Sequence, residues 1–367
     1  MLLEFSIENF RCYKEKTTFD FKKITAIFGN NASGKTNMLN ALSYTLKTIK
    51  EFSKIDDYPP LYKPNDKTKP VTISLKFSDK EKNEFLYELS VKEKLVLREK
   101  YEVLKFKDLE NHIIFTRDNQ NIKFKKLFKD NEEKDIKNII NILMLPNNTF
   151  ASFIFSTKIG LYETLAPFYE LTRKIFISIV HDMSDFKEND LLEHIKENNG
   201  NKREILELAK LADSTITDIT ISEGNKIICH HGNEKRNFFK ESSGTRKTIY
   251  MTPMLIHAKK ESSIFLIDEI DTHFHPLILS LWLEKLSEVS EQVIFVGHNP
   301  LVIDFLMSWK VFNSLENIIY LYRNEENIIK NMSGKEFYTE DEDINLRFSE
   351  LIYHNWNNYY KNKLDYI

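Results

Sequence analysis

Glycine is scarce in this sequence. Only 9 of the 367 residues are glycine, against about 7 % in an average protein. Four of the nine are Gly29, Gly34, Gly244 and Gly297. Because glycine has no side chain beyond its hydrogen, we expect these positions to lie where the backbone approaches another group closely.

Cysteine is also scarce, and the sequence shows neither a long apolar run nor the basic N-terminal region of a signal peptide. The two cysteines, Cys12 and Cys229, are too few for a disulfide framework or a four-ligand zinc site, which favours a reducing compartment. No apolar run approaches the roughly 18 residues of a membrane helix. The start carries an acid at Glu4 and no basic region of a signal peptide. We therefore expect a soluble, cytoplasmic protein without a membrane partner.

Neither sign of charge dominates. The chain has 52 Lys and Arg against 55 Asp and Glu, a net charge of −3, which excludes a strongly basic nucleic-acid-binding coat. A local patch of four lysines interleaved with two phenylalanines leaves contact with nucleic acid possible, although a solvated strand face is the preferred interpretation. The patch is Lys123, Phe124, Lys125, Lys126, Phe128 and Lys129.

Strand-like and helix-like segments alternate towards both ends of the chain. KITAIF leads into a glycine loop and a helical pattern, and the last third alternates from SIFLIDE to NIIYLY. Such alternation predicts an α/β fold with a parallel sheet. Short β-like runs over residues 70–130 predict an antiparallel lobe, and residues 160–213 read as helical, including LYETLAPFYELTRKIFISIV. The 41 % of hydrophobic residues can form a large core.

The segment GNNASGKT matches the phosphate-binding P-loop pattern in full. Its backbone N–H groups and the following helix N-terminus would cradle phosphate, Lys35 would reach the β- and γ-phosphates, and Thr36 would bind Mg²⁺. The apolar strand SIFLIDE ends in two acids, of which Asp268 would hold Mg²⁺ and Glu269 would orient the attacking water. The predicted cofactors are ATP and Mg²⁺. The predicted ATP-binding residues of this segment are Gly29, Asn30, Asn31, Ala32, Ser33, Gly34, Lys35, Thr36 and Asn37.

Two further motifs define the class of ATPase. Ser242, Ser243 and Gly244 precede Asp268, and His298 follows it at the end of the next predicted strand. Taken alone, the serines read as a helix N-cap and His298 as a buried core histidine. In this order, however, the four motifs resemble the ATP-binding-cassette (ABC) ATPases, with a signature motif at 242–244 that acts on a partner's nucleotide and a catalytic switch histidine at His298.

The opening of the chain narrows the resemblance. EFSIENFRCYKEKTTFDF before the P-loop is similar to the heads of SMC and recombination-repair ATPases, which implies that Arg11 lies beside the nucleotide. ESSGTRK, LIDEIDTHFHP and GHNP resemble short bacterial ATPases without coiled coils. These occur in abortive-infection and phage-defence loci and are similar to the ATPase half of OLD-family nucleases. The resemblance covers residues 1–50 and 235–325 well.

Some features depart from that pattern. Ser243 occupies the position where the signature motif usually has its second glycine. The family commonly has a glutamine that contacts Mg²⁺, but the segment NNTFASFIFSTK contains Ser156 and Thr157 and no glutamine. We therefore assign this Mg²⁺ contact to no residue. Too few residues follow His298 for an appended nuclease domain of the OLD type. We expect no metal at His230, His231, His273 or His275, and expect His275-Pro276 to open a helix.

The resemblance implies one ABC-type ATPase head over residues 1–367. Its parts are a P-loop part (1–69), an antiparallel β lobe (70–158) and a helical insertion with return strands (159–235). The last part (236–367) contains the signature motif, the Walker B strand that ends in Asp268 and Glu269, and the switch histidine. It implies an ATP-driven head dimer or higher oligomer that controls a separate effector, a nuclease or toxin, in anti-phage defence. A DNA-binding repair head and, less favoured, a transporter cassette remain alternatives.

Overall fold

The computed structural model describes residues 1–50, 63–124, 144–157, 164–179, 188–261, 263–308, 310–312, 314–324 and 326–337. The chain divides into two compact units. The first contains residues 1–177 and 318–333, and the second contains residues 178–317 and 334–367. Each unit therefore combines segments that are far apart in the sequence.

The first unit contains a seven-stranded antiparallel sheet. Its order is β2-β1-β4-β5-β6-β7-β8. The strands are β1 (Leu2–Glu8), β2 (Thr17–Asp20), β4 (Val71–Ser78), β5 (Glu84–Lys92), β6 (Leu95–Phe106), β7 (Leu109–Asp118) and β8 (Asn121–Phe124). Burial alternates along β4, as expected of a sheet with one face on a core. The predicted antiparallel lobe is confirmed, and the first two strands of the chain extend it.

Aromatic side chains fill the core under this sheet. The ring of Phe168, from helix α3, stacks on Phe77 and Tyr101 at centroid distances of 5.2 and 5.1 Å and lies 4.9 Å from Tyr87. Offset aromatic pairs at such distances add about 0.5–1.5 kcal/mol each beyond their burial. One helix is thereby fixed against three neighbouring strands.

The helices of the first unit are α1 (Lys35–Lys50), α2 (Phe150–Thr157) and α3 (Ala166–Lys174). The prediction of helix over residues 175–179 was wrong, because α3 ends at Lys174 and strand β9 occupies Ile175–Ile179. The segment IFISI contains three isoleucines and one phenylalanine, which favour an extended backbone. The consecutive apolar residues at 175–177 fit a buried helix or a buried strand equally well.

A buried carboxylate anchors the start of α2. Glu99 is 1 % exposed and accepts hydrogen bonds from the backbone N–H groups of Phe150 and Ala151 at 2.6 and 2.9 Å. Arg117 donates to the carbonyl oxygens of residues 146 and 148 just before the helix. Burial raises the pKa of Glu99, and Arg117 opposes that rise. The pair satisfies backbone groups that would otherwise lack partners.

A second set of strands in the first unit carries the P-loop. Strand β3 (Ile24–Gly29) pairs in parallel with β15 (Ile318–Arg323), and β15 pairs antiparallel with β16 (Ile329–Ser333). The predicted order of strand, glycine loop and helix is confirmed, because β3 leads through residues 30–34 into α1. The C-terminal hairpin thus lies beside the strand that delivers the loop.

The second unit combines helices with two groups of strands. Strands β10 (Asp218–Ile221), β11 (Ile227–His231) and β12 (Glu234–Asn237) form an antiparallel sheet. Strands β13 (Ile264–Asp268) and β14 (Gln292–Val296) pair in parallel. The helices are α4 (Glu188–Glu197), α5 (Asn199–Ala212), α6 (Ser243–Lys260), α7 (Pro276–Val289), α8 (Leu301–Ser308) and α9 (Gly334–Phe337).

The alternation of strands and helices predicted for this part of the chain is confirmed. Strands β13 and β14 are buried along their whole length, as expected of parallel strands covered on both faces.

Within the described ranges, no helix is long and apolar enough to cross a membrane.

Candidate functional site

The glycines of the P-loop are required by its backbone. Gly29 has φ +147°, and a Cβ there would lie 2.1 Å from the carbonyl oxygen of Leu321 in β15. Gly34 has φ +101°, and its Cβ would meet Ile329 Cδ1 at 2.8 Å and Tyr13 Oη at 3.0 Å. Both positions combine a left-handed backbone with no room for a side chain. The close approach that glycine scarcity suggested occurs at both of them.

Lys35 lies over the loop that it follows. Its Nζ donates to the carbonyl oxygens of Gly29 and Asn30 at 2.7 and 3.0 Å, and the residue is 5 % exposed. Asn31 and Ala32 are exposed at the tip, Ala32 has φ 60°, and Thr36 and Asn37 are partly exposed on the first turn of α1. The arrangement presents an ammonium group and a helix N-terminus on the same side of an open loop, which suits phosphate.

Arg11 is joined to the first turn of α1. Its Nη1 donates to Oδ1 of Asn37 at 2.7 Å, and Asn37 Nδ2 lies 2.9 Å from Cys12 Sγ. Arg11 itself has φ 49°, a strained conformation for a residue with a side chain. Tyr13 donates its hydroxyl to the carbonyl oxygen of Gly34 at 3.0 Å. The predicted Arg11 therefore lies beside the P-loop helix.

The C-terminal hairpin supplies two residues that sequence reasoning missed. Arg323 donates from Nε and Nη2 to the carbonyl oxygen of Ala32 at 3.1 and 3.0 Å. Tyr320 Oη donates to Asn30 Oδ1 at 3.1 Å. Both belong to β15, which pairs with β3 but follows it by nearly the whole chain. No local pattern in the sequence connects them to the loop.

Asp268, the last residue of β13, and Glu269, which follows it, differ in their surroundings. Asp268 ends the buried strand, is 1 % exposed, and accepts the backbone N–H of Glu269 on Oδ1 at 3.1 Å. Glu269 is partly exposed and has φ 48°. Strain of this kind persists where the surroundings impose it and is frequent at functional positions. One carboxyl group is therefore enclosed and the next is turned towards solvent.

His298 follows the neighbouring strand β14. It is exposed, so its interpretation as a buried core histidine is wrong. Asp271 accepts the backbone N–H groups of His298 and Asn299 on Oδ2, and the N–H of Ile270 donates to the carbonyl oxygen of Val296 at 3.1 Å. Because β13 and β14 are parallel, the loops after Asp268 and after Val296 leave the same edge of the pair.

The signature segment begins α6. Ser242 is the N-cap, accepts the N–H of Thr245 on Oγ at 3.1 Å, and is exposed. Ser243 and Gly244 form the first turn, and a Cβ on Gly244 would lie 3.0 Å from the carbonyl oxygen of His273. The N-cap interpretation is confirmed. It leaves the serine hydroxyl and the helix N-terminus at the surface, where a phosphate could approach.

Lys247 joins the signature helix to the loop after β13. Its Nζ donates to the carbonyl oxygens of Glu269 and Thr272 at 3.0 and 2.6 Å and lies 5.4 Å from the ring centre of Phe274. Burial lowers the pKa of Lys247 to about 8, while Asp271 and Glu269 raise it. Sequence reasoning missed this residue, although it lies only three residues after the signature motif at 242–244.

The predicted residues thus fall into two sets. Arg11 and residues 29–37 lie together in the first unit, and Ser242, Ser243, Gly244, Asp268, Glu269 and His298 lie in the second. Buried polar atoms without a hydrogen-bond partner in the described part of the chain include Arg11 Nε and Ser33 Oγ of the first set, and Arg246 Nε two residues after Gly244 of the second. Cationic and hydroxyl donors that have no hydrogen-bond partner within the protein fit a polyanionic ligand such as ATP with Mg²⁺.

Other predicted positions lie apart from these sets. Lys123 is exposed on β8, whereas Lys125, Lys126 and Lys129 lie outside the described residues. Ser156 and Thr157 end α2, where the Thr157 hydroxyl donates to the carbonyl oxygen of Phe153 at 2.8 Å. His275 caps α7 ahead of Pro276, which confirms the predicted helix start. His231 lies in a cluster with Asp213 and Glu241 that has metal-ligand composition, although no metal was expected there.

Comparisons with known proteins agree with this arrangement. A family model described as "AAA domain, putative AbiEii toxin, Type IV TA system" matches residues 24–304. One curated relative is Structural maintenance of chromosomes protein 1 of Caenorhabditis elegans, 38 % identical over 80 residues, which are 20 % of this chain and 6 % of that protein. The chain therefore spans only a small part of the length of that relative.

Two solved structures have the same architecture. An SMC head bound to the C-winged helix domain of ScpA has a TM-score of 0.52 at 14 % identity, and covers 92 % of this chain and 99 % of that one. An SMC head with an extended coiled coil, bound to the C-terminal domain of ScpA from Pyrococcus furiosus, has a TM-score of 0.51 at 13 % identity. It covers 91 % of this chain and 97 % of that one. The predicted α/β fold of an ABC-type ATPase head is confirmed.

Proposed function

The chain belongs to the family of AAA domains whose model it matches, and from that membership we propose that it binds ATP with Mg²⁺ and hydrolyses it. One observation carries the proposal: strand β3 runs through GNNASGKT into α1, with Lys35 Nζ held over the loop by the carbonyl oxygens of Gly29 and Asn30. An arriving phosphate would exchange these neutral acceptors for charged oxygens, which bind an ammonium group more strongly.

Each predicted residue then has one task. The N–H groups of residues 29–36 and Lys35 bind the phosphates, and Arg11, fixed by Asn37, adds a cation beside α1. Thr36 and Asp268 are the proposed ligands of Mg²⁺, which would supply charge neutralisation at the β- and γ-phosphates. Glu269 orients the attacking water and removes its proton, and His298 donates to the γ-phosphate.

We further propose that a second copy of the chain completes the reaction. Ser242 and Gly244 stand at an exposed helix N-terminus, so they can meet a γ-phosphate bound to the P-loop of another subunit. ATP would then stabilise a head-to-head dimer, and hydrolysis would release it, which makes the nucleotide a switch.

The proposed role of that switch is control of a separate effector, a nuclease or toxin, in anti-phage defence. The description of the matched family names an AbiEii toxin and a type IV toxin–antitoxin system, which supports this choice of role. The solved relatives are heads bound to ScpA, and a head that works through a partner protein supports a two-component system. We propose the same arrangement here with a different partner.

Glu269→Gln separates nucleotide binding from hydrolysis. The amide keeps the size and most hydrogen bonds of the carboxylate but is not basic, so turnover should fall about 10²–10⁴-fold. Retained binding with slow turnover should trap a dimer in MgATP, seen by size-exclusion chromatography with light scattering. Lys35→Ala should abolish the nucleotide-dependent dimer. Normal turnover in Glu269→Gln would remove this residue from the mechanism, and no ATP hydrolysis by the wild-type chain would refute the activity.

A further inference from the structure

Four residues form a hydrogen-bonded chain that ends directly before the signature segment. Thr215 Oγ1 lies 2.6 Å from Asp213 Oδ1 and 2.7 Å from His231 Nδ1. The other ring nitrogen, His231 Nε2, lies 3.0 Å from Glu241 Oε1. The side chains of His231 and Glu241 are 6 % and 2 % exposed. Glu241 is the residue next to Ser242.

The hydroxyl of Thr215 determines where the protons lie. Asp213 Oδ1 also accepts the backbone N–H of Thr215 at 3.0 Å, and these two bonds hold the pKa of Asp213 below its usual range. Its carboxylate is therefore only an acceptor. The single hydroxyl proton of Thr215 must point to Asp213, so Oγ1 accepts from His231, and Nδ1 of the ring carries a proton.

Since Nδ1 carries a proton, a neutral ring would turn the lone pair of Nε2 towards Glu241. Two lone pairs 3.0 Å apart in a buried site repel each other, so a proton or a metal ion must lie between them. Two ligands about 2.1 Å from a tetrahedral zinc lie about 3.4 Å apart, whereas N–H···O hydrogen bonds centre near 2.9–3.0 Å. The observed separation therefore favours a proton, held in a hydrogen bond between His231 Nε2 and Glu241 Oε1.

This pair fixes the start of the signature helix from two sides. His231 ends β11 and Asp213 is the C-cap of α5. The backbone N–H of Glu241 donates to the carbonyl oxygen of Phe238 at 3.1 Å. The residue before the N-cap Ser242 is thus held through its side chain and its backbone, while Ser242 itself stays exposed. A displacement of Glu241 would move the Ser242 hydroxyl with it.

We propose that His231 is a positioning residue for ATP hydrolysis: its ring, held by Thr215, fixes Glu241 and so places Ser242 for the nucleotide of a second subunit. The inference rests on the proposed function of residues 242–244. It assigns a role to a histidine outside every motif of the ATPase. It also predicts that the effect appears in turnover and not in ATP binding, because the P-loop lies in the other unit.

Several charged or titratable groups act on this pair. They are Asp213 on the α5 C-cap, Glu241 ahead of α6, Cys229 on β11, and Glu234 and Arg236 on β12. Arg236 is itself paired with Glu234 at 2.7 Å. The carboxylates bonded to the His231 chain are those of Asp213, through Thr215, and Glu241.

The test compares His231→Gln with His230→Gln. The neighbouring His230 bonds through its ring to Thr220 Oγ1 at 2.7 Å, whereas the ring bonded to Glu241 is that of His231, so His230 is a matched control. Glutamine at 231 cannot carry charge, and kcat should fall about 10- to 100-fold, as expected when a reacting group is misplaced by about 1 Å. The Kd for MgATP and the thermal midpoint should change little. His230→Gln should match the wild-type chain.

Two further measurements keep the inference falsifiable. The loss in His231→Gln should fall on kcat, with the KM for MgATP close to the wild-type value. Unchanged kcat, or an equal loss of ATP binding, would overturn the proposal. One zinc ion per chain retained after dialysis against EDTA would also overturn it in favour of a metal site. If the wild-type chain does not hydrolyse ATP, the proposed function fails first; the proton on His231 Nε2 would then be tested by ¹⁵N NMR of the ring.

Discussion

Lys247 Nζ lies 3.0 Å from the carbonyl oxygen of Glu269, so the helix that begins with the signature segment is bonded to the proposed catalytic residue. The same ammonium group binds the carbonyl oxygen of Thr272 at 2.6 Å. Glu269 has the strained φ of 48°, and the second acceptor, three residues further along the chain, also binds the Lys247 ammonium group, so one cation holds both ends of this loop. A change at the signature helix therefore has a direct physical route to the backbone of Glu269.

This contact predicts how stability depends on pH. Burial lowers the pKa of Lys247 to about 8, whereas an unfolded lysine titrates near 10.4. Between these values the unfolded chain binds a proton that the folded chain has lost, so the free energy of unfolding rises with pH, by up to about 3 kcal/mol. Below about pH 8 Lys247 is charged in both the folded and the unfolded chain, so the cost of burying that charge lowers the free energy of unfolding in full.

The check is urea unfolding of the wild-type chain and Lys247→Met at several pH values from 7.5 to 10. The difference in unfolding free energy between them should rise across this range, because methionine cannot titrate. Lys259→Met alters a lysine of the same helix that is 52 % exposed, and its curve should stay parallel to the wild type. Parallel curves for Lys247→Met as well would contradict the lowered pKa.

Gly29→Ala should destabilise the chain and abolish nucleotide binding. Its Cβ would lie 2.1 Å from the carbonyl oxygen of Leu321, in a backbone with φ +147°, so β3 or β15 must shift. We expect a loss of about 2–4 kcal/mol in unfolding free energy. Gly224→Ala is the control, because no described atom lies within 4 Å of its Cβ; that change should stay within about 0.5 kcal/mol. Equal stabilities for the two variants would refute the steric argument.

Arg323→Ala should weaken ATP binding. The guanidinium makes two hydrogen bonds to the carbonyl oxygen of Ala32, and loss of a charge-assisted bond costs about 1.5–3 kcal/mol. Isothermal titration calorimetry with MgATP should show a Kd about 10- to 100-fold higher, and lysine at this position should restore only part of the affinity, since it lacks the forked donor. Lys330→Ala breaks an exposed pair with Glu15 and should leave the Kd unchanged. An unaltered Kd in Arg323→Ala would show that the loop holds its shape alone.

Ser242→Arg should abolish hydrolysis while the Kd for MgATP stays within about twofold, because a bulky cation replaces the small exposed hydroxyl. The variant also loses the helix cap, worth about 1 kcal/mol. Ser242→Asp controls for that loss: it keeps the cap and the stability, and its negative charge should still repel a partner's γ-phosphate and block turnover. Full ATPase activity in Ser242→Asp would mean that the hydroxyl does not meet phosphate.

The P-loop was predictable because all its parts are contiguous. Glycine spacing, the lysine and the threonine lie within eight residues of GNNASGKT, and local backbone geometry alone makes them a phosphate-binding loop. The strand ending in Asp268 and Glu269 and the one before His298 were recognised by the same local logic, since an apolar strand followed by polar residues marks the edge of a buried sheet. Which roles these residues perform remains a prediction.

The boundary between α3 and β9 could not be read in this way. Ile175, Phe176 and Ile177 are consecutive apolar residues, and a short apolar run of this kind does not distinguish a buried strand from a buried helix. The packing of Phe168 on Phe77, Tyr87 and Tyr101 fixes the helix. Tertiary contacts overrode a local pattern that was ambiguous.

What the sequence determined by itself was the set of chemical groups and their order: a phosphate loop, two acids at the end of a strand, a capped helix and a histidine after the next strand. What only the tertiary structure decided was which distant residues hold those groups in place. Arg323 reaches Ala32, Lys247 reaches Glu269 and His231 reaches Glu241. The physical reason is that a hydrogen bond depends on the separation of two atoms in space, and strand pairing and helix packing set that separation across any distance in the chain.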